Sequence, residues 1–330
     1  MKLKLFFLIL LTPLLLLAQA RKAEFKVHDR GQLWETMKDD GTIGAPDPLN
    51  RFEYFPSMDW PGGPTVMQKD DQRSYMLGAG LWIGGYHQNG GLFLTENGPF
   101  MNVDKGTFLP LEKTDNFIEN KDFNPNEAEQ VIKSHFITTQ NIEVIRTSRV
   151  WSYPGYSNFI LVEYEFINKN SSPVTDMYFG FPYLIRPSYQ DFVVHNGWGD
   201  DFNRTDDIVK YDPENKLLYS YDDTPNFSLP MDVGNFWDDK NELRTTGYAG
   251  FALLNASPAK NNLPQPSVVL YAQLLNNERY LSLTSSTPEA MYKILKGEDK
   301  ALQAKETDRL SPFMLMAAGP YDVPAGASVK

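Results

Sequence analysis

Five aspartates, Asp200, Asp201, Asp206, Asp207 and Asp212, crowd into the stretch GDDFNRTDDIVKYDP, from Gly199 to Pro213. Carboxylates at that density hold a hard cation, work as an acid–base pair, or sit solvated on a surface. Calcium is the natural cation, because it takes six to eight oxygens from carboxylates, amides and backbone carbonyls. Asp201, Asn203, Thr205 and Asp207 alternate like the odd positions of a calcium loop. The match to an EF-hand stops there: Asp206 occupies the place of its glycine, and no helix pattern flanks the loop. The expected donors of an irregular site are Asp201, Asn203, Asp206, Asp207 and Asp212. The acid–base reading is glycoside hydrolysis or a lyase reaction. Glycoside hydrolysis needs two carboxylates about 5 to 9 Å apart across a sugar. From Gly199 to Glu242 twelve acids face four bases, so the segment supplies many pairs and singles out none. A solvated acidic loop explains the same residues.

Aromatic residues interleave with these acids. Trp198 precedes the stretch, Tyr211, Tyr219 and Tyr221 follow, and Trp237 stands before Asp238-Asp239. An aromatic ring stacks on the apolar face of a pyranose while neighbouring polar groups take its hydroxyls. Trp198, Tyr211 and Trp237 are therefore the expected ligand-facing residues. Tyr219 and Tyr221 read instead as the inward face of a strand, KLLYSYD, and Trp82 and Trp151 as core.

Other chemistries find no pattern. GAGLWIGG, Gly78 to Gly85, has the glycines of a phosphate loop, but a hairpin pattern follows where a helix N-terminus is required. These glycines read as close strand packing. His28, His87, His135 and His195 are scattered at no metal-ligand spacing. There is no G-x-S-x-G elbow, and the absence of cysteine excludes thiol enzymes and thiolate metal sites.

The N-terminus reads as an export signal over residues 1–20. Lys2 and Lys4 lead an apolar run, Leu5 to Leu17, that ends at Ala18-Gln19-Ala20. Thirteen residues are short of the roughly 20 that span a bilayer. Cleavage takes the net charge from −11 to −13. Such an acidic chain is a poor partner for nucleic acid or anionic membrane surfaces. A glycan or another surface protein fits better. An exported chain without disulfides must be held by core burial.

Most of the remaining sequence alternates with period two. In SNFILVEYEFIN, Ile160, Val162, Tyr164 and Phe166 lie on one face. Similar runs recur from residue 76 to residue 317, separated by turns rich in Pro, Gly, Asn and Asp. One helix is well signalled, TPEAMYKILKG, with Thr287 as cap, Pro288 at the first position and Gly297 as stop. NPNEAEQ predicts one further turn. The expected fold is an all-β antiparallel sandwich, one large or two packed, with one or two short helices. Residues 21–70 read as an irregular lead-in and 71–330 as the sandwich region. The ending, one residue into a strand pattern, reads as truncation of a longer protein.

NRTDDIVKYDPENKLLYSYDD resembles a stretch of large exported bacterial proteins that carry a C-terminal type IX secretion sorting domain. The shared features are Asp206-Asp207, Val209, Asp212 and then Leu217, Tyr219 and Tyr221. GLWIGG, YEFINKNSSPVTDMYFG and AGPYDVPAGASV fit the same resemblance, which spans about residues 75 to 330. It implies β-sandwich modules on a secreted or cell-surface protein and carries over no active site; the sorting domain itself is absent. The expected role is a binding or structural module, with glycan as the ligand and calcium as the stiffener. The alternative is a carbohydrate-active enzyme using carboxylates of 199–242.

Overall fold

A computed structural model describes residues 23–44, 56–62, 75–98, 104–185, 187, 207–222, 236–237, 243–244, 248–273, 287–299, 302–308 and 312–330. The signal expected over 1–20 lies outside them, as do Trp198, Asp201, Asn203 and Asp206. Strands β1 (Phe25–His28) and β2 (Glu35–Lys38) form a hairpin within the segment expected to be irregular. β3 (Met76–Ala79), β4 (Leu81–His87) and β5 (Leu92–Asn97) follow, then the short β6 (Thr107–Phe108) and β7 (Glu112–Asp115). β8 (Gln130–Ile137), β9 (Ile142–Val150) and β10 (Leu161–Asn168) make an antiparallel meander, and β11 (Val174–Ile185) is the first long strand. Next come β12 (Asp207–Asp212), β13 (Leu217–Asp222), β14 (Phe236–Trp237), β15 (Leu243–Arg244) and β16 (Tyr248–Ala252). The chain closes through β17 (Val268–Gln273), helix α1 (Pro288–Leu295), β18 (Pro312–Val323) and β19 (Ser328–Val329).

The result is the expected all-β antiparallel sandwich, built around one central sheet ordered β17-β18-β11-β4-β5 with β3 beside β11. A second sheet, β19-β10-β9-β8-β6 with β7 on β8, covers part of one face. Its contact is a core of Phe136, Ile142, Val144 and Phe166 against Leu81, Ile83, Phe93 and Phe179. Phe166 and Phe179 stack with ring centres 3.7 Å apart. A three-stranded sheet, β12-β13-β16, lies against Tyr271, Met314 and Met316 through Val209 and Leu218. The register pairs Met314 and Met316 with Tyr183 and Phe181, and Ala318 with Phe179, so both smaller sheets share one face of the central sheet.

The opposite face of the central sheet receives α1. Thr287 caps it by accepting the N–H of Ala290 at 3.3 Å, Pro288 starts it, and Gly297 follows at φ +70°. Met291, Tyr292, Ile294 and Leu295 are buried against Trp82, Leu184, Leu270, Phe313 and Leu315. Two-sided burial explains why β18 is buried without interruption from Pro312 to Gly319, whereas β8 and β9 alternate along their length. The expected second helical turn near Asn124 is a single hydrogen-bonded turn, in which Glu127 N–H donates to the Asn124 carbonyl.

Glycines set the height of the helix. A Cβ at Gly180 would stand 2.5 Å from Leu295 Cδ1, and one at Gly84 would stand 2.7 Å from Tyr292 Cδ2. The glycines of GLWIGG thus include one that seats a helix on the sheet, beyond the strand packing expected. Gly180→Val is expected to cost about 2 kcal/mol through overpacking. Combined with Leu295→Ala in urea unfolding, the loss should fall below the sum of the two single losses. Strict additivity would remove Gly180 from this role.

Candidate functional site

The acidic stretch forms a hairpin over its described part. β12 pairs with β13 from Asp207↔Asp222 to Asp212↔Leu217, and β13 pairs with β16 from Leu217↔Ala252 to Tyr221↔Tyr248. Asp212 shapes the turn between β12 and β13. Its carboxylate accepts the backbone N–H of Glu214 at 2.9 Å, that of Asn215 at 3.2 Å and the Asn215 side-chain amide at 2.7 Å. These bonds, the Asn215 amide first, hold Asp212 below the usual aspartate range.

Strand alternation gives this small sheet two unlike faces. Val209, Leu218 and Phe251 turn toward the central sheet, where Phe251 stacks on Tyr183 at 4.1 Å. Asp207 and Tyr211 share that parity: Asp207 is fully buried and Tyr211 packs against the same core. Ser220 lies there too and donates its hydroxyl to the Ile208 carbonyl at 3.0 Å. Lys210, Tyr219, Tyr221 and Tyr248 take the outer face.

The three tyrosines form one cluster. Tyr219 and Tyr221, two apart on β13, have ring centres 6.4 Å apart. Tyr248 crosses to them at 5.0 Å from Tyr221 and 6.1 Å from Tyr219. Opposite Tyr219 stands Gly250, where a Cβ would meet Tyr219 Cβ at 2.6 Å. The Lys210 ammonium lies 5.4 Å from the centre of the Tyr221 ring, a cation–π distance. The Tyr221 side chain beside it raises the Lys210 pKa above the usual lysine range. Tyr248 is 69% exposed, so the cluster is a shallow face open to solvent.

Sequence expectations divide at this sheet. Tyr211, expected to face a ligand, faces the core, and Tyr219 and Tyr221, expected inside, face out. Parity is the reason: Val209, Leu218 and Phe251 take the side toward the central sheet, which leaves Tyr219 and Tyr221 outside. Trp237 lies in β14 opposite Leu243, with only its backbone described. Of the five expected calcium donors, Asp201, Asn203 and Asp206 lie outside the described residues. Asp207 and Asp212 are five positions apart on one strand, which puts them on opposite faces about 16 Å apart. Among the described residues no group of three or more His, Asp or Glu is placed to hold a metal ion. Lys210 and Tyr248 were missed; pairing register was the signal needed, and a single strand does not carry it.

Two buried acids stand elsewhere. Glu35, in β2, accepts the N–H groups of Thr36 and Met58, each at 2.9 Å, and Asp59 accepts that of Ser57 at 3.0 Å. Burial first, then the Asp59 charge, pushes Glu35 well above the usual glutamate range. Both are closed off from solvent. Glu35 ties segment 56–59 to β2, and Asp59 shapes that segment, both structural tasks. No family model matches the chain, and no curated protein matches it significantly.

Proposed function

We propose that the protein is an exported β-sandwich binding module that takes a saccharide on the face formed by Tyr219, Tyr221 and Tyr248. Residues 1–20 support export through their basic start, apolar run and Ala-x-Ala ending. One observation carries the binding reading: three clustered tyrosines on the solvent side of a sheet, with a lysine donor at their edge. Rings of this kind stack on the apolar face of a sugar, and Lys210 and the phenol groups reach its hydroxyls. Rigid strands hold the rings, which lowers the ordering cost of binding. The calcium part of the reading rests on Asp201, Asn203 and Asp206, outside the described residues, and stiffens the approach to β12.

The test is affinity gel electrophoresis against soluble laminarin, xyloglucan, galactomannan and dextran, in calcium and in chelator. Tyr221→Ala and Tyr248→Ala are each expected to weaken retardation at least tenfold, about 1.4 kcal/mol. Thermal midpoints should barely move for Tyr248→Ala, because that ring is largely solvated. Variants that migrate like the parent in a gel that retards the parent would sink the tyrosine face.

A further inference from the structure

We propose that the β9–β10 loop, residues 151–160, is a second saccharide-binding platform that takes a neutral glycan against Trp151, Tyr156 and Phe159. It uses none of the residues of the tyrosine face. The loop, WSYPGYSNFI, contains four aromatics and no charged residue, in a chain that is 22% charged. Tyr153 is 48% exposed, Tyr156 55% and Phe159 41%, and Trp60 beside them is 39% exposed. Those four are a large share of the exposed big apolar side chains among the described residues. A patch of this kind on a folded surface marks a contact site.

The rings are preorganised. Trp151 lies 6.3 Å from both Tyr156 and Phe159, and those two lie 5.8 Å apart, with planes inclined by 54° to 61°. Tyr156 N–H closes a turn on the Tyr153 carbonyl at 2.9 Å, with Gly155 at φ +83° inside it. The Ser157 carbonyl accepts the N–H groups of Gln32 and Leu33 at 2.8 and 3.1 Å. Ser152 N–H donates to Glu129, and Trp60 Nε1–H donates to Asn158 Oδ1 at 3.0 Å. Gly31 closes the clamp: a Cβ there would meet the carbonyls of Trp151 and Ser157 at 2.7 and 2.8 Å. A loop fixed at so many points orders little on binding.

Its chemistry selects the occupant. The face carries no charge to pair with an ionic partner, and the acidic chain repels anionic polymers and bilayers. Aliphatic side chains, the bulk of a protein-docking core, are nearly missing from the loop. What surrounds the rings instead are hydroxyls and an amide: Ser152, Tyr153, Tyr156 and the Asn158 nitrogen, none with a hydrogen bond among the described residues. Apolar ring faces bordered by unspent donors and acceptors match a pyranose, which presents an apolar face and a rim of hydroxyls.

The experiment uses the mature full chain, the same four neutral polysaccharides, and intrinsic tryptophan emission, since Trp60 and Trp151 border this loop. The parent should be retarded by at least one polymer, with a shift in emission. The double variant Tyr156→Ala/Phe159→Ala should lose at least tenfold in retardation and most of the emission shift. An unchanged thermal midpoint shows that it folds. Loss in that variant with retention in Tyr248→Ala supports the loop and removes the tyrosine face. The reverse pattern overturns the loop and leaves the tyrosine face standing. Equal behaviour of loop variant and parent overturns the proposal. So does a parent that ignores all four polymers, or that binds phosphatidylcholine vesicles in their place.

Discussion

Arg146→Met is expected to unfold at a clearly lower urea concentration than the parent, with a loss of about 3 kcal/mol. Arg146 occupies an inward position of β9, in the series Ile142, Val144, Arg146, Ser148 and Val150, and is 1% exposed. Among the described residues its guanidinium finds no carboxylate. It donates instead to three backbone carbonyls of the crossing N-terminal segment: Lys38 at 2.5 Å, Gly41 at 3.0 Å and Thr42 at 3.2 Å. Burying the ion costs several kcal/mol, which Met would relieve. Against this, three charge-assisted bonds at about 1.5–3 kcal/mol each are lost. The carbonyl of Thr42 loses least, because it also accepts the Lys38 N–H at 3.1 Å. The balance is a net loss. Arg146→Lys should fall between parent and Met, because an ammonium lacks the planar fork that reaches acceptors on two sides. Limited proteolysis should show Arg146→Met cut first between residues 38 and 44. A Met variant with the parent's midpoint would mean that the carbonyls find other partners and that Arg146 pins nothing.

That segment also shows where the sequence spoke and where it fell silent. β8 and β9 were legible because one face of each is core and the other solvent, so apolar and polar residues alternate. Helix α1 was legible from its cap, its proline and its glycine stop. β1 and β2 were not, because their buried positions include His28, Glu35 and Thr36 in place of an apolar stripe. β12 was hidden by its acids: Asp207 and Asp212 bracket it, and aspartates at strand ends read as a loop. The tyrosine face failed on parity alone. A strand fixes which residues share a side, but the neighbouring sheet decides which side is in, and Val209, Leu218 and Phe251 won that place. Trp151, read as core, is only half-buried, in a loop held by backbone bonds from Gln32 and Leu33 to Ser157. Long-range clamps of that kind leave no local mark.

His28 and Glu35 are expected to tilt this protein's stability with pH in opposite directions. They face each other across the β1–β2 pair, and both are buried. The Ser148 hydroxyl donates to the Ile132 carbonyl at 3.2 Å, so at 2.8 Å the His28 Nε2–H donates to Ser148. Burial, then the charges of Lys113 and Arg146, lower His28 from 6.5 to about 3, with Asp29 and Gln130 opposing. Its contribution is whole above pH 6.5. Below that the unfolded chain binds a proton that the folded chain refuses, and stability falls by about 1.4 kcal/mol per pH unit down to about pH 3. Summed over that window the loss approaches about 5 kcal/mol. Glu35 has the opposite sign. Its raised folded value leaves its contribution whole below about 4.5, and stability is lost as pH climbs from there through that value. As pH climbs from 4.5 the two slopes oppose each other, His28 gaining and Glu35 losing, for as long as the folded chain keeps the Glu35 proton. Urea unfolding from pH 3 to 8, read as the difference between parent and variant, separates them from every other group. His28→Gln keeps a donor toward Ser148 and removes the titration, so its stability relative to the parent should rise steadily as pH falls below 6.5. Glu35→Gln sets an amide against backbone N–H donors and costs stability throughout, yet its deficit should shrink as pH rises above 4.5. A His28→Gln curve that runs parallel to the parent's would show that His28 titrates in the folded chain much as it does in the unfolded one. Parallel curves for Glu35→Gln would say the same of Glu35.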